Sequence, residues 1–369
     1  MLVKTELVQT PSVKRLVKAW TQVYTPNFRA IAFAQDPSLY TQLAEAVSSE
    51  GRAKTAAKLN QRILKLRCEI ASIETNRFYT YLQNVMDLHE VKRIAETSFK
   101  IYTGLMDFYQ HDLLSTTSAF TTSLSPVVLH PDHHSLDLIN LSDIERLADA
   151  LEPVLLEFQD QQGQAKDWQT LGVITTQLNF CNQWITDKLT PLEQVLLGPY
   201  LQFVEEQVAH PWRRVCAMAG RYSVDSPVLA IAEKMIPRCE EIAQSAYESL
   251  TRLLPNHYSR RGRLTHPGIA HSCVRDFKIF QSYLWLCVLE DSLVSVEQEL
   301  LSLCVAVLPG IGVQWEMMEL WTQVLADELV RRIEPFQQPL VTSYTTGMHQ
   351  VFLKARAQLD TSRSRQMTA

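Results

Sequence analysis

Residues 49–85 read SEGRAKTAAKLNQRILKLRCEIASIETNRFYTYLQNV. They place Leu59, Ile63, Leu66, Ile70 and Ile73 at steps of four, three, four and three. Such steps stack side chains on one face of a helix that turns every ~3.6 residues. The spacing predicts a long helix that begins near Ser49 or Arg52, runs to about Val85 and buries that face. A further helix is expected from His89 to about Leu114. Thr10-Pro11 and Asp36-Pro37 each join an N-cap to a proline at the first helical position. Ser142-Asp143-Ile144-Glu145 and Thr190-Pro191-Leu192-Glu193 are capping boxes, whose hydroxyl and carboxylate satisfy free amides of a first turn. Asp225-Ser226-Pro227 opens a helix to about Leu254. A helical stretch is expected over Val274–Leu308, which Glu290-Asp291 could interrupt and Pro309-Gly310 should end, followed by helices over Val313–Ile333 and Pro339–Leu359. Neither a useful length of strand alternation nor a repeat of fixed period is found. The expected fold class is all-α, a bundle or array of roughly ten to twelve helices.

Composition agrees. Hydrophobic residues make up 46% and charged residues 20% of 369, and glycine contributes only 11. Phosphate loops and hairpins consume glycine, so its scarcity favours helices joined by proline-containing loops. The stretch STTSAFTTSLSPVVLHPDHHSLDLIN (115–140) breaks the helical pattern. The expected division is an N-terminal helical region over 1–118, a linker or long loop over 119–140, a C-terminal helical domain over 141–360 and a disordered tail over 361–369.

The net charge of −5 excludes strong global attraction to nucleic acid. Charge is segregated, however. Arg52–Arg67 holds six basic residues and no acid, Asp132–Asp160 eight acids and one base, and Glu290–Glu334 nine acids and two bases. The seven cysteines form no C-x-x-C and lie mostly in apolar stretches, which reads as reduced, core-filling thiols of a cytoplasmic protein. Charges interrupt the N-terminus, so no signal peptide is read. The longest uncharged run, Leu300–Trp315, is broken by Pro309-Gly310 and falls short of the ~20 residues a span needs. It reads as a buried helix followed by a turn.

Chemistry concentrates in PNHYSRRGRLTHPGIAHSCVRDFK, residues 255–278. Arg260, Arg261, Arg263, Arg275 and Lys278 could converge on a phosphate or carboxylate at the start of the following helix. A pocket built from His257, Arg261, His266, His271 and Arg275 would suit an anionic metabolite or a tetrapyrrole. The H-x4-H-x-C spacing of His266, His271 and Cys273 matches no common zinc pattern. A solvated loop whose arginines pair with the acidic blocks is the plainer reading. No metal and no cofactor is implied. Lys54, Lys58, Arg62 and Lys65, at steps of four, four and three, would form a basic stripe on one helix. That stripe could meet nucleic acid, anionic lipid or an acidic partner. The carboxylates Glu290-Asp291 follow an apolar run and read as an acid/base pair or as a helix end meeting solvent. The histidines of HPDHH (130–134) fall in the linker. P-loop, dinucleotide-binding, nucleophile-elbow and zincin motifs are absent.

Two phrases, FVEEQVAHPWRRVC (203–216) and HPGIAHSCVRDFKIFQSYLWLCVLEDSL (266–293), carry a resemblance to a group of all-helical cyanobacterial proteins. The resemblance covers mainly the C-terminal half. It implies a cytosolic protein of a photosynthetic bacterium working near its thylakoids, and it transfers no functional residue. The expected function is that of a non-enzymatic helical adaptor or regulatory protein that binds another protein through charged surfaces. Binding of a small anionic ligand around residues 257–278, or of nucleic acid through the helix at 52–67, are the alternatives.

Overall fold

The computed structural model describes residues 5–28, 31, 36, 38–79, 88–111, 144–160, 168–260 and 262–367. The expected linker at 119–140, with HPDHH, lies outside them, as does Arg261. The fold is all-α. The helices are α1 (Pro11–Thr21), α2 (Ser38–Val47), α3 (Ser49–Lys58), α4 (Gln61–Phe78), α5 (Leu88–His111), α6 (Ile144–Asp160), α7 (Trp168–Thr186) and α8 (Pro191–Glu206). They continue as α9 (Trp212–Ala219), α10 (Pro227–Met235), α11 (Cys239–Leu253), α12 (Pro267–Glu290), α13 (Leu301–Ile311), α14 (Trp315–Val330) and α15 (Pro339–Met367).

The helices group into two compact units, Tyr24–Val208 and Val3–Val23 with Ala209–Ala369. The described residues of 24–111, part of the expected N-terminal helical region, pack with α6, α7 and α8, while α1 packs with the C-terminal helices. In the Tyr24–Val208 unit, α4 and α5 pair with each other, α4 lies on α7, and α5 lies on α6.

The single helix expected over 49–85 is two. Leu59 turns inward, and Asn60 leaves the helical region to cap α4 by accepting a hydrogen bond from the Ile63 amide at 3.2 Å. The buried face of α4 also differs from the expected one. Leu64, Cys68, Ala71, Ser72 and Thr75 point inward, whereas Leu66 and Ile73 are exposed. The partner helix explains this choice. Gln177 of α7 accepts from Thr75 Oγ1 at 2.8 Å and donates to the Cys68 carbonyl at 3.0 Å. Small and polar side chains that match α7 therefore override the larger apolar ones.

In the other unit α12 is the central helix. It is buried continuously from Phe277 to Leu289 and packs against α9, α11 and α15. Phe277 stacks on Trp321 at 3.6 Å between ring centroids. Helix α1 closes this unit with Val13, Leu16, Ala19 and Trp20. Ser12 donates to the Tyr222 carbonyl at 2.8 Å, and Arg15 pairs with Glu233.

Two ends differ from expectation. Helix α13 runs through Pro309-Gly310 to Ile311, and Gly312 at φ 74 lets the Val313 amide return to the Leu308 carbonyl at 3.1 Å. This left-handed glycine closure, not the proline, stops the helix. Much of α13 is half-buried, with Val305 exposed, so the apolar run is not a buried helix. Helix α15 continues to Met367, through most of the segment expected to be a disordered tail, because neither proline nor glycine occurs after Gly347 to stop it. All seven cysteines are buried and unbridged. Among the described residues, no helix is long and apolar enough to cross a membrane.

Candidate functional site

Residues 254–266 join α11 to α12 through a small antiparallel hairpin, β1 (Tyr258–Ser259) and β2 (Gly262–Arg263), where a plain loop was expected. Gly262 at φ 125 supplies the conformation that the tight turn needs. Three bonds fix the hairpin. The Ser259 hydroxyl donates to the Gly262 carbonyl at 3.2 Å, and the Arg260 amide donates to the Ile311 carbonyl at 3.2 Å. Tyr247 of α11 donates its hydroxyl to the Leu264 carbonyl at 2.9 Å. The stem of Arg260 lies against Gly312, where an added Cβ would sit 3.1 Å from Arg260 Cγ.

Among the described residues, the cations and histidines of this segment do not converge. Arg260, Arg263, His266 and His271 are exposed. His266 is the N-cap of α12, its Nδ1 accepting from the Gly268 amide at 3.2 Å. Arg275 and Lys278 turn inward. Arg275 binds Asp276 through Nε and Nη2 at 3.0 and 2.8 Å, and Lys278 Nζ lies 2.8 Å from Glu240 of α11. The reason is the phase of α12: Ile269, Cys273 and Phe277 face the core and draw their helical neighbours toward it. His257 is half-buried, and burial lowers its pKa.

The expected basic stripe is dispersed as well. Lys54 and Lys58 lie on α3, Arg62 and Lys65 on α4, because the break at Asn60 rotates one pair away from the other. Lys58 Nζ is 2.7 Å from Glu193, and Lys54 pairs with Glu45 and Glu50 at 2.9 and 3.1 Å. Arg52 is buried, donating to Tyr200 Oη at 3.0 Å beneath the Tyr109 ring. Arg62 and Lys65 remain exposed.

The Glu290-Asp291 pair is structural. Arg214 Nη1 lies 2.7 Å from Glu299 and its Nη2 3.4 Å from Glu290, while Ser295 donates to Glu290 at 2.6 Å. Asp291 adopts the left-handed conformation at φ 53, ends α12 and accepts from the Tyr344 hydroxyl. Further acids of the 290–334 block pair with Lys234, Arg331, Arg332 and Arg356.

The sequence sets Glu206 and His210 four residues apart, which reads as a local ion pair at a helix end rather than a shared metal site. The structure does not form that pair, because α8 stops at Glu206 and the His210 ring is turned inward without a hydrogen-bond partner. His210 is only 6% exposed, and neither ring nitrogen has a hydrogen-bond partner. Burial, then Lys278 and Arg275, drive its pKa well below the usual value. Trp20 meets it edge-on at 6.2 Å. Its apolar flanks, Val208-Ala209 and Pro211-Trp212, are the signal that could have marked it as buried. Among the described residues, no three His, Cys, Asp or Glu side chains gather as metal ligands would.

No family model matches the chain, and neither a curated protein nor a solved structure matches it.

Proposed function

We propose that the protein is a helical adaptor or regulatory protein that docks an acidic surface of another protein on its 258–271 hairpin and helix start. The observation that carries this reading is the outward set of Arg260 and Arg263 on a hairpin whose backbone is tied to α11 and to the end of α13. Tyr258 stands 69% exposed beside them, with His266 and His271 also exposed. Tyrosine and arginine dominate binding hot spots, and a pre-fixed turn loses little entropy on association. Lys278 and Arg275 are drawn to Glu240 and Asp276, which favours a surface over a small-ligand pocket. The division of the basic residues between α3 and α4 weighs against a nucleic-acid track.

The test is affinity capture from native extract with wild type and with the double variant R260E/R263E. A stoichiometric partner should be retained by wild type, released by salt, and lost about tenfold or more from the variant. Equal recovery by both proteins, or no partner even at low salt, would count against the proposal.

A further inference from the structure

The sequence arranges Ile63, Leu66, Ile70 and Ile73 at steps of three, four and three, and α4 keeps them away from its core. Leu66 is 48% and Ile73 65% exposed, while Ile63 and Ile70 are half-buried. Steps of three and four define the seam of a coiled coil, with isoleucine at Ile63 and Ile70 and leucine or isoleucine at Leu66 and Ile73. Helix α4 is therefore apolar on two opposite faces. One is covered by α5 and α7. A helix that is apolar on both sides ordinarily has neighbours on both sides.

The two borders of the open seam differ. On one border Arg67 lies over the Trp184 ring at 5.2 Å, and Trp184 Nε1 donates to Glu74 at 3.0 Å, so these charges are held within the unit. The other border carries Arg62, Lys65 and Glu69, all exposed and with a surplus of positive charge. A second copy of α4 is a poor match. A parallel pairing would set Arg62 against the copy's Arg67, and Glu69 against the copy's Glu74. An antiparallel pairing about the seam centre would set Arg67 against Arg67 and Glu69 against Glu69. Both orientations place like charges together.

We infer that the outer face of α4 binds an amphipathic helix of another protein, with an apolar heptad seam and acidic side chains along the border that meets Arg62 and Lys65. The seam from Ile63 to Ile73 is about 16 Å long, so the contact belongs to the weak, reversible class. It lies on a different unit from the hairpin and does not depend on the function proposed above.

The experiment titrates full-length protein with two labelled helical peptides, followed by fluorescence anisotropy. Both peptides have leucine and isoleucine at the seam; one carries glutamate at its borders and the other lysine. The glutamate peptide should bind, and its affinity should fall between about 50 and about 300 mM salt. L66E/I73E should weaken it about tenfold or more, whereas R260E/R263E should leave it unchanged. R62E/K65E should reverse the preference toward the lysine peptide. All these positions are exposed, and helical circular dichroism verifies that each variant is folded. Equal binding of the two peptides, or undiminished binding by L66E/I73E, overturns the inference. So does self-association abolished by L66E/I73E in sedimentation, or capture of anionic phosphatidylserine vesicles in place of the peptide.

Discussion

His210 sits between Trp20 of α1 and the cations Arg275 and Lys278 of α12, buried and without a hydrogen-bond partner for its ring. In the folded protein it stays neutral. The unfolded chain takes up a proton as pH falls through the ordinary histidine value of 6.5. Protonation therefore favours unfolding: stability is full above that pH and declines below it. Thermal melts in steps from about pH 7.5 to about pH 5.5 should show a falling Tm, with a flatter profile for His210→Phe. Lys278→Met should also flatten the profile, because one of the two cations opposing a charged imidazole is gone. A wild-type profile no steeper than that of His210→Phe would contradict this account. At this scale the sequence was partly readable. The cations of 255–278 were visible as residues, but their division between surface and core depends on the phase of α12. That phase is set by Ile269, Cys273 and Phe277 docking on neighbours distant in sequence.

Helix starts were the most legible elements, because a cap is a local interaction. Thr10 caps α1 by accepting from the Val13 amide at 3.2 Å, and Thr190 with Glu193 forms the expected capping box of α8. The break at Asn60 is equally local, yet the continuous apolar spacing across it masked the signal. Asn60→Ala should cost about 1 kcal/mol in urea unfolding, through loss of the bond to Ile63. Glycines separate into two kinds. At Gly51 an added Cβ would lie 2.0 Å from the Glu45 carbonyl oxygen, so Gly51→Ala must push α3 from α2 and should cost about 2 kcal/mol or more. At Gly198, inside α8, a Cβ meets nothing within 4 Å, and alanine should stabilise by about 0.5–1 kcal/mol. The open seam of α4 is the element that periodicity misassigned. Spacing shows that apolar residues share a face, but not whether the cover comes from this chain.

The division into units was not legible, because composition marks soft segments and not which helices pack together. The Ser/Thr-rich stretch at 115–140, read as a boundary, lies outside the described residues; the two units divide near residues 23–24 and 208–209. Helix α1 is sequence-distant from its unit yet holds it through Leu16, Trp20, the Arg15–Glu233 pair and the Ser12–Tyr222 bond. Deleting residues 1–23 should therefore raise amide exchange in α9, α10 and α12 while leaving α4 and α5 protected. A peptide of residues 5–23 added in trans should restore part of that protection. Uniform loss across both units would contradict the grouping.

The placement of α1 also has a consequence in time. On the ribosome this helix emerges well before its partners: Tyr222 and Glu233, which receive it, are made only after Tyr24–Val208 has been synthesised. At roughly 5–20 residues per second, that delay is on the order of ten seconds or more. Throughout it, the side of α1 bearing Leu16 and Trp20 lacks its packing partners α9 and α10, so nascent chains should engage holdase chaperones until those helices have been translated.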